Sequence, residues 1–307
     1  LPADLNTALE SVLGAIRSAT RVYGGDINRA ARVDAEHGRF FVKWNVQPRP
    51  GLFDAEARGL RLLAAARALR VPRVVAQIDE PAALVLEWID FGSDKSSGAE
   101  ALGRGLAQQH RSLGAAFGLD HDNYIGDNPQ INTPCTAWLE FYRDRRLGAQ
   151  RDLAQARGHL TPDRARRLDR IMEHLDRWID SSGVVPSLLH GDLWGGNYLI
   201  DDHGQPVLID PAVYYGDREA EIAFTELFGG FDARFYAAYH EAWPLDRGYA
   251  ERRDLYIERS PIAHTELLNC PINGPRPVGE FVYGGPVRPM PAPEQSSDAR
   301  WADYVFN

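Results

Sequence analysis

The chain has 307 residues and a mass of 34.3 kDa, is 44% hydrophobic and carries a formal charge of −9. That length accommodates two packed lobes or one large domain, and the acidic balance argues against general binding to nucleic acid or to an anionic membrane, which needs surplus Lys and Arg. Only Cys135 and Cys270 are present, without metal-type spacing, and there is neither an apolar run of about 18 residues nor a signal-peptide pattern, although Leu1 in place of Met leaves a removed start open. These features point to a cytoplasmic protein, a monomer or weak dimer, acting on a small molecule or a protein.

In chain order, Leu9, Val12, Leu13 and Ile16 share one face of a predicted helix over residues 8–19. Residues 21–33 read as two strands joined by a turn at Gly24 and Gly25, and Gly38 to Trp44 as a third strand that carries Lys43. Lys43 and Lys95 are the only lysines among 34 basic residues; the plainest reading of that bias is genome base composition. A glycine turn followed by a lysine-bearing strand is how phosphates are covered and bound in kinases, and it is also an ordinary β-hairpin. The spacing predicts a helix over Phe53 to Leu69, with Glu56 in its first turn either complementing the helix dipole or pairing with Lys43. Residues 74–78 and 83–89 read as strands, the second ending where the backbone of Glu87, Trp88 and Ile89 is placed to bond a nucleotide base. A Gly- and Ser-containing linker over 90–100 follows, then helices over 99–116, from Trp138 onward and over 160–179, the last announced by Thr161-Pro162-Asp163. His110 reads as structural. The polar segment 117–134 reads as a loop that either lines the acceptor pocket or is a solvated connector.

The densest chemistry lies in His190-Gly191-Asp192-Leu193-Trp194-Gly195-Gly196-Asn197 and in Val207-Leu208-Ile209-Asp210-Pro211. An Asp, an Asn and a second Asp in that order, each beside a short apolar run, suit phosphoryl transfer. Asp192 is then the base that accepts the acceptor hydroxyl proton, while Asn197 and Asp210 are ligands to Mg2+ bound with ATP. The same Gly-Asp and Gly-Gly-Asn pairs are also common turn chemistry. Strands followed by helices predict an α+β, bilobal, protein-kinase-like fold: an ATP-binding lobe over 1–90, a catalytic and substrate lobe over 91–256, and an atypical Pro/Gly-rich tail over 257–307.

The chain resembles the fructosamine kinase (ketosamine-3-kinase) family, a branch of the aminoglycoside-phosphotransferase-like and protein-kinase-like superfamily. The resemblance is carried by residues 24–28, Phe41-Val42-Lys43, 53–56, Asn123-Tyr124-Ile125-Gly126 with Pro129-Gln130-Ile131-Asn132, 138–147, 190–197, 210–219 and 226–231. It implies ATP- and Mg2+-dependent phosphorylation of the 3-hydroxyl of a ketosamine, a sugar adduct on a small amine or on a protein lysine. The phosphorylated adduct then decomposes and releases the amine, so the net effect is deglycation. It also implies that Trp194, Tyr214 and Asp217 lie near substrate, though Trp194 also reads as filling the core beside the loop, and Asp217 and Glu221 read either as substrate contacts or, the preferred reading for charged residues that begin a helix, as loop anchors. Bacterial relatives resemble ribulosamine and erythrulosamine kinases, and the residues do not choose the sugar.

Two departures accompany the resemblance. Some relatives carry a redox-sensitive Cys in the glycine turn, where this chain has Asp26, so no thiol switch is expected there. From about Ile257 the chain becomes rich in proline and loses helical periodicity, which reads as an extended or disordered tail, or as an aberrant end in place of closing helices. Two other readings stand beside the ketosamine kinase: another small-molecule kinase, of the aminoglycoside or choline type, and an inactive nucleotide-binding pseudokinase.

Overall fold

The computed structural model describes residues 1–22, 28–92 and 94–257. Gly24, Gly25 and Asp26, and the tail beyond Ile257, therefore lie outside the described residues. Helix α1 (Ala3–Leu13) buries Leu5, Leu9 and Leu13 and stops at Gly14, whose φ of +74° a side chain would resist. This corrects the helix expected over 8–19: past Gly14 the chain turns extended and forms β1 (Ile16–Val22), a mostly exposed edge strand. Strands β2 (Arg29–Ala35), β3 (Gly38–Trp44), β4 (Val74–Ile78) and β5 (Ala83–Glu87) complete an antiparallel sheet in the order β1-β2-β3-β5-β4. Alternation along β3 turns Phe40, Val42 and Trp44 onto α1, while Phe41 and Lys43 face the opposite side. There α2 (Leu52–Ala66) packs through Phe53, Ala57, Leu60 and Leu63.

The remainder is mainly helical. Helix α3 (Ala99–His110) packs on α8 (Ala233–Ala242), and α7 (Arg218–Phe228) on α9 (Tyr249–Ile257). The segment expected as a loop over 117–134 contains a short hairpin, β6 (Asn123–Ile125) with β7 (Asn128–Gln130), too brief to be read from periodicity. Helix α4 (Trp138–Phe141) runs through a π-helical stretch (Tyr142–Gly148) into α5 (Ala149–Ala156), and α6 (Pro162–Glu173) is capped by Thr161. Two small antiparallel pairs then flank the segments of residues 190–197 and 209–213: β8 (Ser187–Leu189) with β11 (Tyr214–Gly216), and β9 (Tyr198–Ile200) with β10 (Pro206–Leu208). One apolar cluster joins α2 to α3, β8, β9, β10 and α8, so the sheet and the helical part share a core. Arg70 fastens them further: its carbonyl accepts from Leu208 N, and its guanidinium pairs with Asp201 at 2.7 Å and with Glu87 at 3.1 Å.

Candidate active site

Three charged side chains meet between the sheet and the helical part. Lys43 Nζ, from β3, lies 2.5 Å from Glu56 of α2 and 2.7 Å from Asp210, just after β10. Lys43 is buried, at 6% exposure. Burial opposes its charge, but the Asp210 and Glu56 carboxylates outweigh burial and hold the ammonium protonated well above the ordinary lysine range. Burial pushes the Glu56 carboxyl up, to about 7, against the pull of Lys43. The sequence expectation that Lys43 pairs with Glu56 thus corresponds to a direct ion pair, and Asp210 adds a second anion.

The loop from His190 to Asn197 crosses beside this cluster. Gly191 has φ of +83°, and a Cβ there would stand 2.0 Å from Ala212 O, so only glycine fits. His190 is buried and kept neutral by desolvation; its Nε2–H donates to Ile209 O at 2.9 Å, and its Nδ1 accepts from Asp192 N at 3.3 Å. Asn197 Nδ2 donates to Asp192 O at 2.8 Å and to Asp192 Oδ2 at 3.0 Å, which orients the carboxylate. Ile209 N donates to Asn197 O, bringing Asn197 alongside Asp210. Among the described residues, no hydrogen bond reaches Asn197 Oδ1 or Asp210 Oδ2. Those are hard oxygen donors of the kind Mg2+ takes when phosphates and water supply the rest of its shell.

The loop is held from two directions: by Glu221, read from the sequence as a loop anchor or a substrate contact, and by Lys95, to which sequence reasoning gave no role. Glu221 of α7, buried, accepts from His190 N at 3.0 Å, from Gly191 N at 2.6 Å, and pairs with His110 Nε2 at 2.9 Å. Burial would raise its pKa, but the bonds from His110 and the backbone amides hold it below the ordinary range. His110, expected to be structural, is indeed fully buried here, with Nδ1 2.8 Å from Tyr239 Oη. From the linker, Lys95 Nζ donates to Gly195 O at 2.5 Å and Tyr198 O at 3.0 Å and sits 4.3 Å above the Tyr198 ring. Burial lowers its pKa to about 8. The second of the two lysines therefore also serves the site.

A narrow apolar cavity adjoins Asp210, lined by Phe41, Leu86, Trp88, Ile89, Leu199 and Ile209. Glu87 also lines it, but its carboxylate is engaged by Arg70 and Arg73, and its N–H donates to Arg73 O at 3.0 Å. Trp194 is half-buried in the loop, its indole lying where a Cβ on Gly196 would fall.

Two residues expected near substrate sit elsewhere. Tyr214 is 2% exposed, stacked on Phe141, with the Arg146 guanidinium 4.0 Å over its ring. Asp217 is buried as the N-cap of α7, accepting from Glu219 N at 3.0 Å and from Tyr256 Oη at 2.5 Å. Both follow Asp210 in sequence, but the β11 strand turns them into the core.

Burial and the nearby Glu219 carboxylate raise the Asp217 pKa from 3.8 to about 6, against its two hydrogen bonds. A carboxyl whose folded pKa is raised lends stability that is fully present below its unfolded pKa and is lost as pH rises through the folded one. From pH ~4 to ~6 this residue thus removes up to about 3 kcal/mol. Asp217→Asn keeps the cap without that loss. Urea melts are expected to show the variant gaining on wild type as pH rises across that window; a pH-independent difference would contradict the assignment.

The family model described as fructosamine kinase matches residues 4–269. A second, described as the sarcosine oxidase delta subunit family, matches residues 267–307. The chain is 42% identical over 257 residues to a protein of Lactiplantibacillus plantarum named "Probable ketoamine kinase", covering 82% of this chain and 89% of the relative. It is 38% identical over 261 residues to the chloroplastic protein-ribulosamine 3-kinase of Arabidopsis thaliana, covering 80% and 76%. The crystal structure of a Thermobifida fusca protein assigned as a fructosamine-3-kinase superposes with a TM-score of 0.79 at 32% identity, covering 87% of this chain and 93% of that one.

Proposed function

The chain belongs to the fructosamine kinase family, and from that premise we propose how its residues phosphorylate the 3-hydroxyl of a ketosamine. The observation that carries the reading is the convergence of Lys43, Glu56 and Asp210 with the Asp192–Asn197 loop beside one apolar cavity. The cavity takes the base of ATP, with the backbone from Glu87 to Ile89 along its edge. Lys43, aligned by Glu56, neutralises the phosphates, while the phosphate cover expected of Gly24 and Gly25 lies outside the described residues. Asn197 and Asp210 hold Mg2+, which when bound screens the charge of the transferring phosphoryl group. Asp192 Oδ, set by the Asn197 amide, accepts the proton of the sugar hydroxyl as that oxygen attacks. Trp194 walls the sugar. Since positioning and charge supply most of the catalysis in phosphoryl transfer, the rigid hold on the loop by Glu221 and Lys95 belongs to the mechanism.

The phosphorylated adduct then breaks down with release of the amine, so the activity amounts to deglycation of free or protein-bound amines. The division proposed is a nucleotide lobe over 1–90 and a catalytic lobe over 91–256, supported by a five-stranded sheet ending at Glu87 and the linker that follows. The C-terminal segment proposed over 257–307 is supported from residue 267 onward by the separate family match, while the first match continues to residue 269. Among the described residues no helix is long and apolar enough to cross a membrane; a cytoplasmic site of action and a monomer or weak dimer complete the reading.

A panel assay tests the substrate class. With Mg2+ and ATP, ADP formation is expected on at least one of ribulosyl-, erythrulosyl- or fructosyl-lysine, and on neither an aminoglycoside nor choline. Tight ATP binding without turnover on any of them would replace this reading with that of a pseudokinase.

A further inference from the structure

Asp210 has a φ of +53°. A non-glycine residue held there is strained, and the strain persists only where the surroundings over-determine it. On one side the restraint is the catalytic loop: Ala212 N donates to His190 O at 2.9 Å. On the other side stands a ladder of buried polar side chains from the 123–132 hairpin. Gln130 Nε2 donates to Ala212 O at 3.0 Å, and Asn123 Nδ2 donates to Val213 O at 2.8 Å. Asn123 Oδ1 accepts from Gln130 at 2.8 Å and from Asn132 at 2.9 Å, and Asn132 Oδ1 accepts from Arg146 at 2.8 Å. All four side chains are at most 5% exposed.

A buried polar chain of this length is rigid, and each donor that it spends is costly to orphan. It spends its donors on the two carbonyls that follow Asp210-Pro211, where core packing alone would need only apolar side chains. The same segment reaches α2, the helix of Glu56: Arg58 pairs with Asp120 at 3.0 Å, while Tyr124 Oη donates to Pro50 O at 2.9 Å just ahead of that helix. The 120–132 segment therefore touches both carboxylate-bearing sides of the Lys43 cluster.

We infer that Asn123 and Gln130, backed by Asn132 and Arg146, are positioning residues that hold Asp210 in its left-handed conformation and thereby aim its carboxylate at the metal. The inference rests on the assignment of Asp210 as a Mg2+ ligand. The hairpin thus acts as a strut behind the metal site and not as a solvated connector.

The test is calorimetric binding of ATP in Mg2+ and in EDTA, by wild type, Asp210→Asn, Gln130→Met and Asn123→Asp, with Leu168→Ala as a core variant away from the ladder. Asp210→Asn is expected to abolish the affinity gained with Mg2+. Gln130→Met and Asn123→Asp should keep the EDTA affinity and lose roughly 10- to 100-fold of that gain, the usual effect of disturbing residues behind a metal ligand. Leu168→Ala should melt earlier and keep the gain. If both ladder variants bind as wild type in Mg2+ while Asp210→Asn does not, the strut is refuted and the metal assignment stands. If Asp210→Asn itself keeps the gain, the metal assignment falls and the inference with it. Loss of ATP binding in EDTA by the ladder variants would show that the ladder holds the fold as a whole, and would also overturn the inference.

Discussion

Replacing Asp192 by Asn is expected to lower kcat by roughly 10²- to 10⁴-fold, the usual contribution of a positioned base, with little change in the KM for ATP. The exchange is nearly isosteric, and the carboxamide oxygen can still accept from Asn197 Nδ2, which now meets Asp192 Oδ2 at 3.0 Å. What disappears is the ability to take the hydroxyl proton. Steady-state kinetics with saturating ketosamine separates the outcomes. A fall in kcat alone fits a base, whereas a rise in KM for ATP at constant kcat would move Asp192 into nucleotide binding.

Glu221→Ala carries the largest expected cost in stability. The carboxylate accepts from two backbone amides and pairs with a His110 that has no access to solvent. Truncation orphans all of these at once. Breaking a buried pair of this kind costs about 3–5 kcal/mol, a large share of the ~5–15 kcal/mol that holds a typical protein folded. Equilibrium urea unfolding is expected to show that loss, and residual activity below the transition should fall as well, because His190 and Gly191 immediately precede Asp192. A variant destabilised by less than about 1 kcal/mol, the scale of one ordinary hydrogen bond, would mean that water or another group replaces the carboxylate.

The chemistry-bearing stretches were legible because the groups that act together lie close in sequence or on recognisable elements. Asp192 and Asn197 share one loop, Asp210 follows the next short hairpin, and Lys43 and Glu56 sit on a strand and the helix after it. Short apolar and aromatic runs announced β3 and β5, and the Thr161-Pro162-Asp163 signal marked the start of α6.

Glu221 was read as a possible loop anchor, but the partners of the supports were not legible, because they lie far apart in the chain. No pattern links Glu221 to His190, or Asn123 and Gln130 to Val213 and Ala212; only the folded backbone brings those polar groups within reach. Proximity in sequence to Asp210 suggested that Tyr214 lies near substrate, yet it points into the aromatic core, while Asp217 caps α7, the structural role preferred for it from sequence. The helix expected over 8–19 failed because apolar spacing continued to Ile16 while Gly14 ended the turn. Composition suggested only a proline-rich tail after Ile257, a reading blind to residue order; order is what the second family match over 267–307 detects.

The most direct test of the central claim is to incubate ribulosyl-lysine with the protein, ATP and Mg2+ and to quantify ADP and free lysine in the same samples. Phosphorylation at the 3-hydroxyl predicts ADP first and lysine later, converging on equal amounts, with neither formed by Asp192→Asn. ADP formed without any release of lysine would place the phosphate elsewhere on the sugar, and lysine released equally by the variant would contradict the account.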